Sequence, residues 1–342
     1  MNNEKSRKKY ILLFVSSFAV ALIIVLALAY IFWLRPLLKS PISESLDYST
    51  DEDARFTEWD YQYEPSNEDP VCGDQEELLI LAAGIDYRGS DYLYGLADVI
   101  RLIHVDFTVP RVNVVAFPRA MLVEVPKSLR DVEGPILLNQ AYFFGSPGMG
   151  KYDGGGYGAG ALAEAIYYNF NLKPDNYLVI DFVGFQNLID ALGGIEVDLP
   201  MAIDAGSAGY FPAGKQTLDG EEALRLARTR KNYSDNIRIS NQTVIIQGIF
   251  ERIKAPENLL KFPELMSEFM ETVLTDASLS QIPDALCLIE KIDKSEINFY
   301  QPDDTLITAG WEFIPSMNKE MNIYYWDDSF LSWLNDSLFN QN

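Results

Sequence analysis

The chain has 342 residues, 48% of them hydrophobic and 13% aromatic, enough to bury a sizeable core in one large domain or two small ones. Its formal charge of −23 excludes nucleic acid as a partner, because so acidic a surface repels phosphate backbones. Two cysteines, Cys72 and Cys287, are too few for a disulfide framework. Two separate buried thiols are expected, with pairing the alternative if the domain is exported.

Basic residues are unevenly spread: Lys5, Arg7, Lys8, Lys9, Arg35 and Lys39 fall in the first 39 residues with one acid, Glu4. Residues 10–34 carry no charge and are rich in Leu, Ile, Val, Ala and Phe, long enough to span a bilayer as a helix. The basic residues before the run predict a cytoplasmic N-terminal tail over 1–9 and export of the chain beyond the span. No small-x-small cleavage site comes after the run, so a retained span is expected rather than a signal peptide. Residues 35–75 are acidic and turn-rich, and read as an extracytoplasmic linker to a single domain over 76–342.

From Glu76 short apolar runs alternate with helical periodicity. The pattern predicts strands at 78–83, 98–107, 111–117, 177–181 and 195–199, with the second and third paired through Thr108-Val109-Pro110. Helices are expected at 158–168, 182–192, 218–228 and 237–253, two more within 259–292, and a docking stripe of Trp326, Phe330, Trp333 and Leu334 over 324–339. Alternating strands and helices give an α/β fold with helices on both faces of a mixed central sheet, an αβα sandwich of three layers.

The stretch at 227–242, ARTRKNYSDNIRISNQ, sets Arg228, Arg230, Lys231 and Arg238 around Asp235 in an otherwise acidic protein. Guanidinium forks suit phosphate oxygens, and an Asp is a hard metal ligand, a proton acceptor or a helix N-cap. Arg238, Asn241 and Gln242 share one face of the following helix, whose N-terminus also favours an anion. Asp86 and Arg88 follow the first strand, Asp98 opens the second and Arg119 follows the third, at strand ends where α/β sheets place ligand residues. Two such carboxylates could hold Mg²⁺, or Mn²⁺, with waters retained. Arg101 is three residues from Asp98, so strand alternation points it to the opposite side.

Other candidates carry less. The run GGGYGAG at 154–160 lacks the Lys-Ser/Thr of a phosphate loop and reads as a flexible loop entering a helix. His104, the only histidine, cannot make a multi-histidine zinc site and reads as structural. The sequons at Asn232 and Asn241 read as chance.

In order, GIDYR at 84–88, Ala97-Asp98, Phe117-Pro118-Arg119, LNQAYFFG at 138–145, DFVGFQNLIDALGGIEVDLP at 181–200, LDGEEAL at 218–224 and the stretch at 227–242 resemble the LytR–CpsA–Psr (LCP) family of bacterial envelope proteins. The resemblance extends from about residue 78 to residue 253. It implies a membrane-anchored phosphotransferase that moves a glycopolymer, such as teichoic acid or a capsular polysaccharide, from a polyprenyl-pyrophosphate lipid to peptidoglycan or another envelope acceptor. It further implies a hydrophobic tunnel for the prenyl chain beside a pyrophosphate site. Asp86 and Asp98 match the metal-site carboxylates. Arg88, Arg119, Arg228, Arg230 and Arg238 match the pyrophosphate-binding arginines, Asp235 the motif acid and Gln242 the glutamine after it. Leu96, Ala120 and Asn241 stand where the family pattern has Arg, Asp and Arg. A weakened binder of lipid-linked polymers and a lipid-carrier pyrophosphatase fit the same residues.

Overall fold

The computed structural model describes residues 41–42, 69–87, 92–229 and 235–339. The expected membrane span at 10–34 and most of the expected linker lie outside them, as do Arg88, Arg230 and Lys231. Among the described residues no helix is long and apolar enough to cross a membrane.

The chain runs β1 (Glu77–Ile85), β2 (Ala97–Asp106), β3 (Arg111–Ala116), β4 (Leu122–Val123), β5 (Ile136–Leu137), α1 (Leu138–Gly145), α2 (Gly158–Phe170), β6 (Asn176–Ile180), α3 (Phe182–Ala191), β7 (Ile195–Leu199), β8 (Ile203–Asp204), β9 (Tyr210–Phe211), β10 (Gly214–Leu218) and α4 (Gly220–Ala227). It continues with α5 (Asp235–Lys254), α6 (Pro256–Leu259), α7 (Phe262–Thr272), β11 (Leu274–Thr275), α8 (Ile282–Lys291), β12 (Ile297–Tyr300), β13 (Ile307–Ile314), β14 (Lys319–Trp326) and α9 (Asp328–Phe339). Six strands form the central sheet in the order β11-β6-β1-β2-β3-β12. β1 pairs in parallel with β6, and β3 with β12, while the other pairs are antiparallel. The mixed sheet and α/β class agree with the sequence reading.

Alternation sorts β1 and its neighbours onto two apolar faces. On one face Leu78, Ile80, Ile103, Val105 and Val112 pack with Phe250 of α5 and Leu288 of α8. On the other, α9 lies against β3, where the buried Asn113 donates Nδ2 to Leu338 O at 2.8 Å. The aromatic stripe expected near the C-terminus docks here, with Phe330 against Phe117, Phe170 and Trp333. A second core joins α3, β7, α4 and α5 through Ile189, Ile195, Val197, Leu226 and Ile245. The β2–β3 turn is held by Asp106, whose Oδ1 accepts from Thr108 N, Thr108 Oγ1 and Val109 N at 2.7–3.0 Å.

Three expectations change. Cys72 and Cys287 are bonded to each other, not separate thiols. The segment before β1 lies along the end of β2, where Val71 N donates to Phe107 O at 2.7 Å, and α8 packs over that same end. Residue 218 closes a strand, so the helix read from 218 begins at Gly220, capped by the Asp219 side chain on Glu222 N at 2.8 Å. The helix read from 237 already includes Asp235, so that residue lies within α5 rather than capping it from outside. Within the span read as linker, Ile42 is fully buried, and its amide donates to Asp276 Oδ2 at 3.2 Å.

Candidate active site

β1 and β2 do not keep strict register. Gly84 pairs with Val99 and Ile85 with Ala97, so Asp98 is the extra residue of a β-bulge. A bulge re-aims a side chain at a strand end. Here it turns Asp98 to the mouth of a cavity of about 380 Å³, which Asp86 also lines. Asp86 is held by a reciprocal pair: its Oδ1 accepts from Leu96 N at 2.7 Å, and its own N donates to Leu96 O at 3.1 Å.

The facing wall comes from α3, α4 and α5. It contributes Phe182, Phe185, Arg228, Arg238 and Gln242. Arg228 follows the last turn of α4, and its guanidinium lies 4.5 Å from the centre of the Phe182 ring, a cation–π contact that restrains a long side chain. Arg238 and Gln242, four residues apart on α5, are buried against the sheet. Asp86, Asp98, Arg228, Arg238 and Gln242 are therefore brought together as the sequence predicted. Arg119 reaches the site through Asp98, with which its Nη1 makes a close ion pair. Arg88 and Arg230 lie outside the described residues, and of Asp235 only the backbone position at the start of α5 is described.

Arg101 is the one reversal. Alternation counted from Asp98 sends it away from the site, but the bulge resets the count. Its Nη2 donates to Gln242 Oε1 at 3.3 Å, beneath the cavity. Three further residues carry no assignment from the sequence. Asn139, buried at the start of α1, donates Nδ2 to Asp98 Oδ1 at 3.5 Å, and its Oδ1 has no hydrogen-bond partner. Asp181 lines the cavity while its Oδ1 caps α3 on Gly184 N at 2.7 Å. Phe182 carries Arg228. All three stand within the quoted motifs without being singled out there; Asp181 could have been found as a capping residue before an apolar periodic run. His104 is structural as expected, bonded through Nε2 to Glu77 Oε2 at 2.9 Å and stacked edge-on against Phe339. Asn241 is buried, which rules it out as a glycan acceptor.

Asp86 and Asp98 offer hard carboxylate oxygens on one cavity beside arginines. That donor set suits Mg²⁺, which commonly takes one or two carboxylates and completes its shell from water and phosphate. Among the described residues no cluster of three or more His, Cys, Asp or Glu could enclose a metal by itself. Two apolar cavities lie nearby. One, of about 180 Å³, lies along the same faces of β1 and β6 as Gly84 and Ile180, and is lined by Leu78, Ile80, Leu178, Phe262, Met266 and Met270. The other, of about 140 Å³, lies between α3, α5 and α7 and shares Phe262 and Met266 with it.

The profile of the LytR_cpsA_psr family matches residues 43–329. The chain belongs to this family. Among relatives, the chain is 29% identical over 212 residues to the polyisoprenyl-teichoic acid–peptidoglycan teichoic acid transferase TagU of Oceanobacillus iheyensis, covering 61% of this chain and 62% of that protein. It is 25% identical over 215 residues to TagV of Bacillus subtilis, which bears the same activity name, covering 60% of this chain and 51% of that one. The matched stretch thus spans between half and two thirds of these relatives. The crystal structure of B. subtilis TagV superposes with a TM-score of 0.61 at 22% identity, over 77% of this chain and 96% of that one. The structure of TagT bound to LI-WTA superposes at 0.57 with 17% identity, over 80% and 96%. These two likenesses establish the family's fold for this chain.

Proposed function

We propose that this protein transfers a glycopolymer, of teichoic-acid or envelope-polysaccharide type, from a polyprenyl-pyrophosphate carrier to a cell-wall acceptor such as peptidoglycan. The observation that carries the reading is the convergence of Asp86, Asp98, Arg228, Arg238 and Gln242 on one cavity, with apolar space along the same face of the sheet. The transferase names of its relatives support it. The charge-free run at 10–34 and the Cys72–Cys287 bond support a site on the outer side of a cytoplasmic membrane, since disulfides persist in oxidising compartments.

In this reading a hydroxyl of the acceptor attacks the phosphorus that bears the sugar. A new P–O bond forms, the bridging P–O bond breaks, and polyprenyl phosphate departs. The hydroxyl proton passes to a base, a role we assign to Asp235 at the start of α5. Arg228, held over Phe182, and Arg238 on α5 neutralise the pyrophosphate; Gln242 orients it; Arg88 and Arg230 add to the cradle. Arg119 is paired with Asp98 and can exchange that carboxylate for a phosphate oxygen. Such catalysis is chiefly positioning and charge neutralisation. Mg²⁺ held by Asp86 and Asp98 would add charge stabilisation at the phosphates.

The test is to extract the full chain in detergent and analyse its bound lipid by mass spectrometry, with Mg²⁺, before and after adding acceptor glycan. Polyprenyl phosphate released only with acceptor is the expected result. Release without acceptor identifies a pyrophosphatase, and unchanged bound lipid identifies a binder. Arg228→Ala and Arg230→Ala should each lower transfer by about 10³-fold or more, with thermal unfolding unchanged; wild-type turnover in either removes it from the site.

A further inference from the structure

Arg101 projects from β2 beneath α5 and is 2% exposed. Its Nη1 donates to Ile100 O at 3.0 Å and its Nη2 to Gln242 Oε1 at 3.3 Å. Both partners are neutral, and among the described residues no carboxylate pairs with it. Arg238, 3% exposed, adds a second buried guanidinium close by. Burial first, and then repulsion from Arg238, push the Arg101 guanidinium down to about 10, which leaves it charged at neutral pH.

A buried ion without a counter-ion is costly, and folds keep such an arrangement where an incoming charge completes it. The open volume above these two arginines is the cavity lined by Arg228, Arg238 and Gln242. The orientation of Gln242 follows from its partners. A guanidinium can only donate and a carbonyl can only accept, so Oε1 must face Arg101 while Nε2 donates to Ala227 O at 3.3 Å. Ala227 precedes Arg228. One continuous chain of contacts therefore runs from Arg101 through Gln242 to the backbone just before Arg228.

We propose that Arg101 is a positioning residue of the pyrophosphate site: it orients Gln242 from beneath the cavity and holds there a buried positive charge that a pyrophosphate-type anion neutralises on binding. This inference rests on the pyrophosphate reading above.

The experiment uses the full chain in detergent, with inorganic pyrophosphate as the probe in titration calorimetry at several salt concentrations, and thermal unfolding without ligand. Arg101→Met fills the same space without charge. It should leave unliganded thermal stability unchanged or higher, weaken pyrophosphate binding about tenfold or more, and flatten its salt dependence. Arg101→Lys keeps the charge and loses the two-pronged bridge. It should retain the wild-type salt dependence and bind a few-fold more weakly. A Met variant that melts earlier yet binds pyrophosphate as the wild type does would make Arg101 a packing residue and overturn the proposal. If the Met variant does not fold, the Lys variant decides: unchanged affinity, or a lost salt dependence, overturns it. If the wild type itself does not bind pyrophosphate, the reading of the cavity fails first and this proposal with it.

Discussion

Asp181 gives one side chain two tasks. Its Oδ1 caps α3 on Gly184 N, and its carboxylate lines the cavity at 3% exposure. Burial raises its pKa, against which the amide hydrogen bonds from Gly184 and Val183 act. A carboxyl whose folded pKa lies above its unfolded value binds more protons when folded. Its contribution to stability therefore falls as pH rises from 3.8, the ordinary Asp value, through the raised folded value. Asp181→Asn keeps an acceptor for Gly184 N and removes the buried charge. It should unfold at the same or a higher temperature than wild type at pH 7, with the difference vanishing as pH falls toward about 4. A variant less stable at pH 7 by the full value of a lost cap, about 1 kcal/mol, would show that the cap depends on the charge.

At the scale of elements, α3 and α4 meet where Gly220 opens α4. A Cβ on Gly220 would lie 2.4 Å from Gln186 O and 2.8 Å from its Cα, both backbone atoms of α3. Gly220→Ala therefore forces α4 away from α3, and with it the end that carries Arg228. The expected loss is about 1–3 kcal/mol in chemical denaturation, with weaker pyrophosphate binding. Elements with one strong period were legible in the sequence. The strands β1, β2, β3, β6 and β7 and the long helix α5 fall within about two residues of their expected ends, because their alternation or helical spacing is what buries them. The hairpin β13–β14 was not legible: Trp311 and Phe313 are exposed at 70% and 49%, so its pattern does not follow a buried face. β12 is four half-buried residues, too short to announce itself. Arg101 escapes the alternation rule for a physical reason, since a bulge between the paired strands breaks the count on which alternation depends. The convergence of Asp86, Asp98, Arg228, Arg238 and Gln242 was legible because each stands at the end or first turns of a readable element. Asn139 was not, because its partner Asp98 lies across a long connection.

Across the whole molecule, the cavity sits at the seam between the central sheet and the second core, with Gly84, Val99 and Ile180 on one side and Phe185, Leu224 and Ala227 on the other. The Cys72–Cys287 bond secures the far end of the sheet, joining residues 215 apart in sequence. Replacing both cysteines with serine should cost on the order of 3–5 kcal/mol of unfolding free energy, read by chemical denaturation, while leaving pyrophosphate affinity at the distant cavity intact. Wild-type protein in strong reductant should show the same loss. Equal stability with and without the cross-link would mean that α8 and the segment before β1 are held by packing alone.

The borders of the central sheet are uneven. One is closed by β11, of two residues, and the other by β12, of four. Short outer strands leave few unpaired amides and carbonyls on which a neighbouring chain could assemble. The protection on the β12 side comes late in the sequence, after α8. Until residues 297–300 have been synthesised and docked, the whole length of β3 from Arg111 to Ala116, four of its six residues buried in the finished fold, stands open as a template for intermolecular β-pairing. Productive folding of this protein is thus a contest between the arrival of one four-residue strand and aggregation along the strand it covers.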